Sequence, residues 1–201
     1  MTKTRNIDQR IGVFVDVQNM YYSAKHLYSS KVDFKVILRE AVAGRKLIRA
    51  IAYVIKADAK DENIFYETLG GIGFEVKAKD LQIFYGGAKK GDWDVGIAMD
   101  VMRLAPKLDT IVLISGDGDF SDLLDHAKSL GCRTEVMAFG KTTSHKLRDV
   151  TDLFLDLDRG QRGAKEFEGL YNDGSQSYRF PVRLIPPAEG EDLPDHLLSP
   201  L

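Results

Sequence analysis

The sequence predicts a three-layer α/β/α domain with a mainly parallel central sheet, followed by a C-terminal extension. Three observations carry that class. Short apolar runs alternate with amphipathic helical patterns through residues 9–158. Most of the runs are apolar on both alternating faces, as strands covered by helices on each side are. Strands separated by helices of about 10 to 15 residues indicate βαβ units with right-handed crossovers.

In chain order, residues 11–16 form the first strand and 19–28 the helix after it. Residues 36–43 read as a helix ending near Gly44, and 48–55 as the second strand. A helix over 61–69 stops at Gly70 and Gly71, residues that reach left-handed C-cap geometry without strain. Strand 74–77 follows, then a loop rich in glycine and lysine, then helix 94–104 running into Pro106. Strand 111–115, helix 120–130 closed by Gly131, strand 134–138, a short helix over 144–150 and strand 153–155 complete the domain. From residue 159 the character changes. Residues 159–165 are basic, and 181–201 hold five of the six prolines. The extension, 159–201, is expected to be partly disordered, with one added strand around 178–184.

Composition narrows the function classes. A net charge of -2 means that phosphate binding would come from a local patch or a bridging cation rather than a global field. Cys132 is the only cysteine, which excludes an intramolecular disulfide. The polar start, MTKTRNIDQR, lacks the apolar stretch of a signal peptide, and no run reaches the roughly 18 apolar residues of a membrane helix. The expectation is a cytoplasmic protein with no membrane segment.

Ligand sites in an open parallel sheet lie beyond the carboxyl ends of the strands. Asp16 closes the first strand, in GVFVDVQNM, and Asp117 and Asp119 follow the strand at 111–115, in LISGDGDF. Asp94 opens the helix that leads into that same strand. If the two strands are neighbours, three segments bring carboxylates to one edge. Such carboxylates repel unless a cation joins them, and oxygen ligands without His or Cys select Mg²⁺ or Mn²⁺. That chemistry suits hydrolysis at phosphorus.

Each residue also has a plainer reading. Asp119 stands where a helix N-cap would stand, with Asp122 three residues on, whereas Asp117 is too early to cap well. Asn19 suits an N-cap of the first helix, or a support for Asp16. Asp94 and Asp92 suit the helix dipole. Asp100 lies about 240° around the helix from Asp94, which makes it a buried polar anchor or an outer support rather than a ligand. Lys89 and Lys90, among Gly86, Gly87 and Gly91, form a basic loop suited to a phosphate backbone or simply to solvent. Trp93, Tyr21 and Tyr22 suit either base stacking or packing. Lys141, His145, Lys146 and Arg148 place positive charge after the strand at 134–138, again on the carboxyl edge.

FVDVQN, KKGDWDVGIAMD and LISGDGDF, in this order, resemble the NYN domain family and, within it, the LabA-like bacterial group. The resemblance spans residues 9–158. It implies a PIN-like nuclease fold and a Mg²⁺- or Mn²⁺-dependent ribonuclease. By position it places the metal-binding and catalytic acids at Asp16, Asp94, Asp117 and Asp119, with Asn19 beside them. Many members show Lys-Gly-Val-Asp, whereas Asp92 and Trp93 here separate Gly91 from Asp94. Helical register favours Asp94 over Asp92, because Asp94, Ile97, Ala98 and Val101 share one side.

The expected function is a divalent-metal-dependent ribonuclease acting on single-stranded RNA, with Asn19, Lys89 and Lys90 contacting substrate. The alternative is a non-catalytic RNA-binding or protein-binding regulatory module on the same fold. A homo-oligomer or a protein partner would engage the C-terminal extension. A phosphatase of the haloacid dehalogenase type fits poorly, because its motif needs a second Asp where Gln18 stands.

Overall fold

The computed structural model describes residues 6–56, 62–83, 89–158, 176–179 and 184–185. Strand β1 (Arg10–Asp16) leads into helix α1 (Val17–Tyr28), a two-residue strand β2 (Lys31–Val32) and helix α2 (Phe34–Val42). Strand β3 (Lys46–Lys56), helix α3 (Glu62–Ile72) and strand β4 (Glu75–Asp80) follow. A small hairpin of β5 (Gln82–Ile83) and β6 (Lys89–Lys90) precedes helix α4 (Asp94–Leu104). Strand β7 (Thr110–Ile114), helix α5 (Ser121–Ser129), strand β8 (Arg133–Ala138), helix α6 (His145–Val150) and strand β9 (Leu153–Asp156) close the domain.

The sheet runs β4-β3-β1-β7-β8-β9 and gains a seventh strand, β10 (Gln176–Arg179), beside β9. Every pairing in it is parallel. The chain starts at the centre, winds outward to β4, returns through α4, and winds outward again on the other side. Winding therefore reverses between β1 and β7, which leaves a crevice at their carboxyl ends.

Alternation along the central strands divides the core in two. Ile11, Val13 and Val15 face the layer of α1, α2 and α3, with Met20, Ile37 and Leu69 packed on them. Phe14, Ile111 and Leu113 face α4, α5 and α6, with Ile97, Val101 and Leu124 opposite. The expected three-layer class holds.

Helix α3 does not stop at Gly70 and Gly71. It continues to Ile72, and Gly73 takes the left-handed position at φ 115°. Gly73 N–H bonds the Gly70 carbonyl at 3.0 Å and Phe74 N–H the Leu69 carbonyl at 3.1 Å, which is a Schellman cap. Burial of Leu69 and Phe74 fixes the choice among the three glycines. Of the expected strand at 178–184, residues 178–179 lie in β10 and 184 opens β11 (Leu184–Ile185), which pairs antiparallel with β2. Residues 180–183, 159–175 and 186–201 lie outside the described residues.

Candidate metal centre

Two strand ends meet at the crevice because Val15 pairs with Ile114. Asp16 ends β1 and starts α1 with no loop between them. Its carboxylate accepts the Asn19 N–H at 3.0 Å, the N-cap bond that frees the sheet end and begins the helix in one residue. The cap of α1 is thus Asp16, not Asn19. The Asn19 side chain instead accepts the Gly116 N–H at 3.0 Å, which ties α1 to the loop after β7.

After β7 the cap falls on Asp117, not on Asp119. Asp117 is the cap: its Oδ1 accepts the Asp119 N–H at 2.9 Å and opens a single 3₁₀ turn, Gly118–Phe120. Helix α5 begins only after that turn, with Phe120 at its N-cap and no side-chain cap bond. The inserted turn moves the cap two residues upstream and leaves the Asp119 carboxylate exposed. Ser115, fully buried, links the strand ends: its hydroxyl donates to Asp16 at 3.3 Å and accepts the Asp117 N–H at 3.2 Å. Ser144 N–H donates to the Gly116 carbonyl at 3.0 Å, so the segment before α6 braces the turn. A Cβ on Gly118 would lie 2.6 Å from Ser144 Oγ, which explains glycine there.

Asp94 arrives from a third direction as the first residue of α4. Trp93 fixes its height. The indole N–H donates to the Val54 carbonyl at 2.8 Å, and the ring packs on Tyr53 with centroids 5.3 Å apart. Gly96 lies so close that a Cβ would come 2.4 Å from the indole. Trp93 therefore packs against the domain, the plainer of its two readings.

Asp94, Asp117 and Asp119 converge, with one carboxylate oxygen of each within 4.8 Å of the others. Asp16 is not one of that group, but it is close enough to feel the charges of Asp94 and Asp117. Burial is the main force raising the Asp16 carboxyl from 3.8 to about 6; the charges of Asp94 and Asp117 add to it, while Asn19 N–H and Ser115 hydroxyl oppose it. Asp94 also rises to about 6, through burial first and then the charges of Asp117, Asp92 and Asp119, with Lys79 opposing. The donor set, three carboxylates and no His or Cys, fits a hard divalent cation. A 2+ charge would offset the mutual repulsion of these carboxylates.

Asp100 is not part of the cluster. It is buried and receives Tyr53 hydroxyl at 2.8 Å and Lys77 Nζ at 2.7 Å, with Arg103 at 3.6 Å. Burial alone would raise its carboxyl; the bonds from Lys77 and Tyr53 and the two positive charges outweigh that and hold it below the ordinary range. It is the buried polar anchor that helical phase allows. Asp92 acts on Asp94 through charge. Lys89 and Lys90 form β6, close in the chain to Asp94, while Gly86 and Gly87 lie outside the described residues. Lys146 pairs with Asp122 at 2.9 Å, so Asp122 ends in an ion pair rather than a capping box. Lys141 lies over the Tyr28 ring at 5.2 Å and Arg148 over Phe154 at 4.7 Å. Sequence reasoning missed Ser115 and Lys79. Ser115 carries a signal, a hydroxyl ending an otherwise apolar strand; Lys79 sits in an alternating charged strand that reads as solvated edge.

A parallel doubly wound α/β domain with an acidic cluster at its switch point is the class that this fold and site define. The chain belongs to the NYN domain family, whose model matches residues 10–158. It is similar to low amplitude and bright protein LabA of Synechococcus elongatus, with 27% identity over 157 residues, covering 74% of this chain and 83% of that protein. It is also similar to a crystal structure of a protein of unknown function from Vibrio parahaemolyticus, at 34% identity and a TM-score of 0.72, covering 78% of this chain and 97% of that one. The resemblance drawn from the three motifs holds.

Proposed function

We propose that this protein is a divalent-metal-dependent nuclease that hydrolyses phosphodiester bonds in single-stranded RNA. The observation that carries the reading is the convergence of Asp94, Asp117 and Asp119 within 4.8 Å at the switch point of the sheet, with Asp16 near enough to feel the charges of Asp94 and Asp117. A set of mutually repelling carboxylates held by caps and packed glycines gains nothing from binding a polyanion directly; it gains from a cation between them. Asp94, Asp117 and Asp119 would hold Mg²⁺ or Mn²⁺, and Asp16 would complete the acidic set. A bound ion of this kind acidifies water and stabilises negative charge developing on phosphorus.

The protein's own groups would do the rest. Asp119 is exposed, and no hydrogen bond to its carboxylate is formed among the described residues, so it is the carboxylate free to orient the attacking water and take its proton. Asn19 and Ser115 hold the Gly116–Asp117 backbone against α1 and β1. Lys89 and Lys90 would hold the RNA backbone from strand β6, just before α4.

The experiment is cleavage of a labelled single-stranded RNA with Mn²⁺ or Mg²⁺ by wild type, Asp117→Asn and Asp16→Asn. Loss of activity by roughly 100-fold or more is expected in both variants. Equal activity in all three preparations would mark a contaminant and end the proposal. RNA binding independent of metal, with no turnover, would favour a regulatory binding module.

A further inference from the structure

Lys79 lies near the carboxyl end of β4, paired with Ile55 of β3. It follows Lys77 by two residues, so both lie on the α4 side of this strand. Their surroundings differ. Lys77 is neutralised by Asp100 at 2.7 Å. Lys79 donates to the Asp92 carbonyl at 3.1 Å and lies 5.7 Å from the centre of a Trp93 ring that is itself pinned by Val54 and Tyr53. Both partners are uncharged, and among the described residues Lys79 makes no ion pair. The ammonium is therefore held without being neutralised. It flanks Asp94 closely enough for its charge to oppose the crowding there. Across the crevice, Lys146 is paired with Asp122, and Lys141 is held over the Tyr28 ring as Lys79 is over Trp93.

A chain with its scissile phosphate at the acidic cluster carries further phosphates on either side. A fixed cation beside the cluster, with no carboxylate on it, suits one of them. We infer that Lys79 is a substrate-binding residue that receives a backbone phosphate of single-stranded RNA adjacent to the phosphate at Asp94, Asp117 and Asp119. The inference rests on the nuclease reading.

The test compares Lys79→Gln and Lys79→Arg with wild type on an oligouridylate in Mn²⁺, separating KM from kcat. In parallel, fluorescence anisotropy follows binding of the same oligonucleotide in an Asp117→Asn background across a salt series. Lys79→Gln should raise KM and Kd about tenfold, the scale of one charge-assisted contact, with the change in KM exceeding that in kcat. The slope of log affinity against log salt should fall by about 0.7, one phosphate contact on a single strand. Lys79→Arg should restore affinity and slope. Unchanged Kd and slope would overturn the inference, as would a loss in kcat alone, which would mean that Lys79 acts only through Asp94. Binding without cleavage by wild type would remove the nuclease reading, and the anisotropy data would still decide the contact.

Discussion

Asp16 is the residue where stability and the proposed chemistry conflict. Its carboxyl rises to about 6 because it is buried, with Asp94 and Asp117 adding to the effect against the opposing Asn19 N–H and Ser115 hydroxyl. The folded chain therefore holds this proton more tightly than the unfolded one. Stability from this group is fully present below the ordinary value near 3.8 and is lost as pH rises through about 6. Asparagine caps a helix as well as aspartate does, so Asp16→Asn keeps the start of α1 and removes the ionised group. In a chelator at pH 8 the variant should be more stable by on the order of 2 kcal/mol, with a Tm higher by about 5 °C. The gain should shrink toward zero between pH 6 and pH 4, and saturating Mn²⁺ should stabilise wild type more than the variant. Thermal melts under these conditions check it; an equal metal response would remove Asp16 from the site. The acids themselves are legible in the sequence, because each ends a strand or begins a helix in an apolar context. Their division of labour is not. One 3₁₀ turn makes Asp117 the cap and leaves Asp119 exposed, and a turn of three residues has no period to read.

At the scale of elements, the site depends on how closely the turn after β7 approaches the segment before α6. A Cβ at Gly118 would lie 2.6 Å from Ser144 Oγ and 2.9 Å from Ser144 Cβ, so Gly118→Ala forces the turn away. Asp117 and Asp119 flank that glycine, and the displacement should weaken Mn²⁺ binding about tenfold or more while costing about 1–2 kcal/mol of stability. Ser144→Gly removes both atoms in the way. The double variant should recover most of the metal affinity, and a double-mutant cycle read by calorimetry measures the coupling. Additive effects would show that the two residues do not constrain each other. Long elements are readable to within a few residues because period 2 and period 3.6 repeat several times along them. The two-residue strands β2, β5, β6 and β11 are too short to show a period; β2 and β11 form where distant segments meet, and β5 and β6 as one local hairpin. Trp93 is ambiguous for another reason: its partner carbonyl belongs to Val54, 39 positions earlier.

Across the whole molecule, helix α1 holds the carboxyl edge together from one side. Asn19 bonds Gly116 after β7, Ser23 meets Thr142 after β8 at 3.0 Å, and Tyr28 donates to Asp158 after β9 at 2.6 Å. The opposing constraint is a buried ion pair. Arg45, between α2 and β3, forks onto Glu135 in β8 with two bonds of 2.9 Å, and two further N–H groups reach the Ala41 and Val42 carbonyls. Both side chains are essentially inaccessible, at 0% and 1% exposure, so neither charge has water to fall back on. Glu135 is visible in the sequence as the one acid in β8, with Arg133 two positions before it, yet its buried partner lies 90 positions away and no local pattern points to Arg45. The pair joins the α2–β3 junction to β8, which is separated from β3 by β1 and β7, and so couples the halves that meet at the crevice. Removing Arg45 leaves the buried Glu135 carboxylate with only the partly exposed Arg133, whose Nε lies 3.1 Å from its Oε1. Arg45→Met should therefore cost about 3–5 kcal/mol, seen as a lower urea midpoint at unchanged m-value. Replacing both partners, Arg45→Met with Glu135→Leu, should recover most of that loss, because the pair's attraction barely exceeds its desolvation. If the single variant unfolds at the wild-type midpoint, the pair does not hold the two halves together; if the double variant is no better than the single, the hydrogen bonds to Ala41 and Val42, not the charge, are what Arg45 supplies.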